Sequence, residues 1–123
     1  MNKNITVVVI IFLALFAIAL IVFYPKPGGG SYLNSFAQCL SSKGATMYGA
    51  YWCPHCQNEK AAFGSAFSYV NYVECTQDTA KCQAAGIQGF PTWIFPDGRR
   101  FEGEQGLSGL SKESGCPLPV QSQ

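Results

Sequence analysis

The chain has 123 residues, 48% of them hydrophobic, with a formal net charge of +1. That length supplies one domain rather than two. After residue 30, Lys43, Lys60, Lys81, Arg99, Arg100 and Lys112 face seven carboxylates, so there is no basic block and nucleic acid is not an expected partner.

The hydrophobic share is concentrated near the start. "ITVVVIIFLALFAIALIVF", Ile5 to Phe23, runs without a charge and with Thr6 as its one polar residue. As a helix it would cover roughly 28 Å, close to the hydrocarbon thickness of a bilayer. A domain this small could not bury a helix that is apolar all round. Secretory signals have a shorter apolar region and a small-x-small cleavage site. Here the run is longer and ends in "YPKPGGGS", and no cysteine follows it directly for lipid attachment. Residues 1–23 are therefore expected to be a short tail and a retained transmembrane anchor. Lys3 before the segment and Lys26 after it leave the positive-inside tendency balanced. Six cysteines favour an oxidising compartment. The expected location is the cell membrane, single-pass, with the domain extracytoplasmic.

Residues 24–32 read as a linker, stiffened by two prolines and loosened by three glycines, and 33–123 as the domain. Ser31 is placed to cap a helix in which Leu33, Phe36, Ala37 and Leu40 form one apolar face, and Gly44 stops it. "ATMYGAYW", Ala45 to Trp52, suits a buried strand. Pro54 opens a second helix, which Glu59 to Phe67 continues. "YVNYVEC", Tyr69 to Cys75, is a second strand, and "TAKCQAAG" a short helix ending at Gly86. "PTWIFPDGRRFEG", Pro91 to Gly103, reads as a hairpin turning at Pro96-Asp97-Gly98, with Arg99 and Arg100 on a solvated edge. "LSGLSKES" is a last helix. The order is α/β, a crossover followed by an antiparallel pair.

The chain's one histidine, His55, lies inside a Cys-x-x-Cys pair, "WCPHC", where the first strand hands over to its helix. Residues three apart on a helix are neighbours, within the span a disulfide tolerates, so Cys53 and Cys56 can open and close a bond with little backbone movement. A helix N-terminus offers unpaired N–H groups and partial positive charge. Both, together with His55, are expected to lower the pKa of Cys53 below the free value of about 8.5 and make the disulfide a stronger oxidant. The competing readings are half a zinc site and a permanent staple. Cys82 follows Cys75 by more than the two-residue gap of a zinc ribbon, and Pro54 suits redox chemistry better. Haem attachment needs a histidine where Gln57 stands. No metal and no cofactor are expected. Trp52 and Trp93 are expected to pack in the core or along a groove wall.

"YWCPHC" after an apolar strand, with "GFPTW" about 35 residues on, resembles the thioredoxin superfamily. "GATMYGAYWCPHCQNEKAAFGSAF", "YVEC", "CQAAGI" and "GFPTW" resemble more narrowly the thioredoxin-like domain fused to bacterial and plant vitamin K epoxide reductase homologues, over roughly Phe36 to Leu110. The resemblance implies a thioredoxin fold, a central mixed sheet flanked by helices, preceded here by one N-terminal transmembrane helix. It implies Cys53 as attacking and Cys56 as resolving thiol, supported by Trp52, Pro54 and His55, with Phe90–Pro91 as the cis-proline bond bordering a substrate groove. It also implies a second pair, Cys75 and Cys82, as a structural disulfide or an auxiliary redox pair. That leaves Cys39 and Cys116, which could clamp the first helix to the tail. In place of the quinone-reducing helical domain of those fusions stands a single span, and the strand Thr46 to Tyr51 lacks the buried acid of thioredoxins. The expected function is thiol–disulfide exchange that promotes disulfide formation in client proteins, with re-oxidation by a vitamin K epoxide reductase-type or other quinone-linked membrane partner. The alternatives are a reductase or isomerase of the same fold, and a non-catalytic stapled binding domain.

Overall fold

The computed structural model describes residues 2–23 and 31–120. The linker expectation falls, for 24–30, outside the described residues. Helix α1, Lys3–Phe23, is apolar from Ile5 onward apart from Thr6 and buries none of its side chains. By length and composition it could cross a membrane.

A 3-10 turn, Ser31–Leu33, leads into α2, Asn34–Ser42. Because the chain tightens into this turn first, the helix is N-capped at Leu33 with no side-chain bond, and the expected cap at Ser31 is not the one used. The apolar face is as the periodicity predicts: Leu33, Phe36, Ala37 and Leu40 are all buried. Strand β1, Thr46–Gly49, is shorter than expected. The chain turns at Ala50, whose carbonyl accepts from Cys53 N–H at 3.1 Å, and this lifts Tyr51 and Trp52 out of the strand into solvent.

Helix α3, Pro54–Phe63, starts with proline in its first turn and buries Cys56, Glu59 and Phe63, one face at i, i+3 and i+7. It stops short of Phe67. Gly64 takes φ +58°, which an L side chain rarely adopts, and the chain continues as a 3-10 segment, Gly64–Tyr69. Then come β2, Asn71–Glu74, and α4, Thr79–Ala84, whose cap Asp78 accepts from Lys81 N–H. Strands β3, Thr92–Ile94, and β4, Arg100–Glu102, form the expected hairpin, and α5, Gly106–Ser114, follows.

The four strands lie in the order β2-β1-β3-β4. β1 and β2 run parallel, with Gly49 opposite Glu74; β3 is antiparallel to β1, with Met47 opposite Trp93. Helices α2 to α5 flank this mixed sheet, and the core between them centres on Phe36, Met47, Phe63, Trp93 and Leu110. Phe63 stacks on Phe36 at 5.9 Å and meets Trp93 at 6.2 Å.

Two disulfides close the domain. Cys39 of α2 is bonded to Cys116 beyond α5, and Cys75 to Cys82 of α4. Their sequence separations, 77 and 7, differ enough for loop entropy to rank them. Replacing Cys39 and Cys116 together by serine should lower the unfolding free energy by about 4.5 kcal/mol, and replacing Cys75 and Cys82 by about 2.5 kcal/mol. Urea unfolding of the full chain in detergent checks the ranking.

Candidate active site: a cysteine pair at a helix N-terminus

Cys53 is the N-cap of α3, its backbone extended at φ −78° and ψ 120°, and Pro54 and His55 fill the first turn. Cys56 falls at N3, and an N-cap side chain leans toward N3. Helix geometry alone therefore brings the two sulfurs together. Their surroundings differ. Cys53 keeps 6% exposure, and its thiol donates to the Phe90 carbonyl at 3.7 Å. Cys56 has no exposure. Burial pushes the Cys56 thiol up to about 11, with the neighbouring Cys53 adding to the rise and the Ala50 N–H and Lys60 opposing it. Both are free thiols.

Phe90 and Pro91 come to the site from the loop before β3, joined by a cis peptide bond. Trp52 does not pack in the core. It stands 58% exposed, with its ring edge-on to Phe90 at 6.0 Å. Trp93 is fully buried under the helix. The Cys75–Cys82 bond removes two of the four sulfurs that the zinc spacing would need.

His55 has a partner that the sequence reading did not anticipate. Its Nδ1–H donates to Glu104 Oε1 at 2.6 Å, and Asn58 Nδ2 donates to the same oxygen at 3.0 Å. The His55 hydrogen bond, with that of Asn58, holds the Glu104 carboxyl below the usual carboxylate range. One turn deeper, the buried Glu59 reaches the other way. Its Oε2 accepts from Gln105 N–H at 3.0 Å and Gly106 N–H at 3.3 Å, the cap and first residue of α5. Burial pushes the Glu59 carboxyl up against the pull of those amides. Glu59 Oε1 and Trp93 Nε1 are the buried side-chain polar atoms without a hydrogen-bond partner among the described residues. Strand β1 carries no acid, but the site does have a buried one, supplied by α3.

Gly49, opposite the pair on β1, leaves the space that Cys56 occupies. A β-carbon there would lie 2.8 Å from Cys56 Sγ, 3.1 Å from Tyr72 Cε2 and 3.2 Å from Tyr72 Oη. Tyr72 donates to Glu74 Oε2 at 2.6 Å. Neither residue was singled out from sequence; the signal was their alternation in "NYVE", which puts both on one side of β2.

No family model matches the chain. The chain is 43% identical over 96 residues to the thiol-disulfide oxidoreductase LTO1 of Arabidopsis thaliana, a match covering 71% of this chain. It spans 25% of that relative's length.

Two consequences are measurable. Gly49→Ala should destabilise the chain by about 1–3 kcal/mol, because the added carbon overlaps Cys56 Sγ, and the urea midpoint should fall accordingly. Glu59 holds its proton more tightly folded than unfolded, so its contribution to stability is present at low pH and is lost as pH rises through the elevated folded pKa. As pH rises above the ordinary glutamate value of about 4.3, unfolding free energies should move against the wild type relative to Glu59→Gln.

Proposed function

We propose that the chain is a membrane-anchored thiol–disulfide oxidoreductase with a thioredoxin fold, working by dithiol–disulfide exchange at Cys53 and Cys56. The observation that carries this reading is the inequality of the two sulfurs on one helix end: Cys53 lies at the cap beside the Phe90 carbonyl, and Cys56 lies fully buried behind it. In the exchange, the Cys53 thiolate attacks a client disulfide, or a client thiolate attacks the Cys53–Cys56 bond; either gives a mixed disulfide on Cys53. Cys56 is the resolving thiol. The similarity to a thiol-disulfide oxidoreductase supports the same chemistry.

Trp52, Phe90 and Pro91 border the sulfur that meets the client, and the edge-on contact of Trp52 with Phe90 makes one apolar wall there. Helix α1 is the anchor, residues 1–23 in all, with the domain of 33–123 extracytoplasmic; the Cys39–Cys116 and Cys75–Cys82 bonds suit an oxidising compartment. The preferred direction is oxidation of client thiols. A vitamin K epoxide reductase-type or other quinone-linked membrane protein would then re-oxidise the pair.

Cys53→Ser should abolish peptide oxidation and insulin reduction alike, whereas Cys56→Ser should accumulate a Cys53 mixed disulfide, visible by mass spectrometry. Full activity in Cys53→Ser would reject the assignment. The reduction potential decides the direction: a value near −120 mV supports the oxidase, and one near −270 mV a reductase.

A further inference from the structure

The buried side of Cys56 faces β2, and the facing groups there form a unit. Cys56 Sγ and Tyr72 Oη both border the notch left by Gly49, separated by at most the sum of their 2.8 Å and 3.2 Å distances to its β-carbon position. The Tyr72 proton is committed to Glu74 Oε2 at 2.6 Å. Glu74 is itself held by three further donors, Tyr51 N–H, Thr76 N–H and Thr76 Oγ1. Burial works to raise its carboxyl, but the hydrogen bonds from Tyr72, Thr76 and Tyr51 outweigh it and hold the group below the usual range. Its other side borders an open cleft that Tyr72, Gln77 and Lys81 also line. Lys60 Nζ sits 3.8 Å from the centre of the Tyr72 ring, fixing the ring's face.

A hydroxyl whose proton is turned away toward a carboxylate offers a neighbour only lone pairs. Lone pairs and a nearby negative charge favour a thiol over a thiolate. Of the other titratable groups that act on Cys56, Cys53 favours the thiol and Lys60 favours the thiolate.

We propose that Tyr72 and Glu74 are positioning residues that keep Cys56 protonated and so act as a brake on the resolving step, lengthening the life of the Cys53 mixed disulfide. The proposal rests on the exchange reading above and deepens it. In the step concerned, Cys56 gives its proton to solvent and its sulfur attacks Cys53. The Cys53–client bond breaks, the Cys53–Cys56 bond forms, and the client leaves as a thiolate. The pair is oxidised by two electrons and the client sulfur reduced. A slow step leaves time for a second client thiol to displace Cys53 and depart with a disulfide of its own.

The test uses the full chain in detergent, with glutathione loaded on Cys53 and its release timed from pH 5 to 10. Each unit by which the Cys56 pKa falls raises its thiolate fraction about tenfold at neutral pH. Reduced nucleophilicity takes back roughly half of that on a logarithmic scale, leaving about threefold in rate. Tyr72→Phe keeps the ring beneath Lys60 and removes the hydroxyl. It should release glutathione about three- to tenfold faster at neutral pH, with the midpoint of the profile moved to lower pH. Glu74→Gln should do the same, and the double variant should gain little over Tyr72→Phe. Release at the wild-type rate and profile in both single variants, or slower release in Tyr72→Phe, overturns the brake. If the wild type never forms the glutathione adduct, the exchange reading itself fails and the brake with it; an adduct whose lifetime ignores both substitutions sinks the brake alone.

Discussion

How closely α3 lies against the first two strands is set at Gly49. A β-carbon there would come within 2.8 Å of Cys56 Sγ, nearer than such contacts tolerate, so the glycine is needed for space rather than for backbone freedom. With it, Cys56 sinks to zero exposure and the helix presents Cys56, Glu59 and Phe63 to the sheet as one face. Without that approach Phe63 could not reach both Phe36 and Trp93, which tie α3 to α2 and to β3. The same contact that fixes the depth of the second sulfur thus anchors the centre of the core.

Two helix N-termini are then linked by an exchange of acids. Glu59 on α3 accepts from the first amides of α5, and Glu104, just before α5, accepts from His55 and Asn58 in the first turns of α3. A negative group is favourable at a helix start, where amides lack partners and the dipole is positive. The environments set different strengths. Glu104 is solvated, so its pair with the largely exposed His55 is weak as a stability element. Glu59 is buried, and its hydrogen bonds must compensate for desolvation. Fixing the 104–106 segment matters more to the position of α5 through Glu59 than through Glu104.

Much of the architecture was legible because it rests on local rules. The apolar face of α2, Pro54 in the first turn of α3 and the Pro96-Asp97-Gly98 hairpin each follow from spacing or from one residue's backbone preference. Element ends were less legible. The early end of β1 depends on a turn at Ala50, and the break of α3 on Gly64, a residue that also occurs inside helices. In the site, the Cys53–Cys56 pair stands out in sequence because its spacing is contiguous. Glu59, Tyr72, Glu74 and Glu104 do not, since their roles appear only when α3, β2 and the start of α5 are folded together. Glu59 reads in sequence as one polar residue of a helix; only the packing of that face on Trp93 makes it a buried acid.

The inequality of the two sulfurs shows why the motif alone cannot describe such a site. In "WCPHC" the cysteines are chemically alike, and a helix start would polarise any anion nearby. What separates them is where the helix begins. The N-cap lies outside the cylinder in extended backbone, so Cys53 faces the loop that carries Phe90. Position N3 lies inside the first turn and faces the sheet, so Cys56 meets Gly49 and, beyond it, Tyr72. The groups that distinguish the sulfurs therefore come from two other segments, the loop before β3 and strand β2. Changing the Pro54-His55 dipeptide would alter the field that both share but leave that division in place, because strand register holds Gly49 opposite Glu74 however the first turn of the helix is composed.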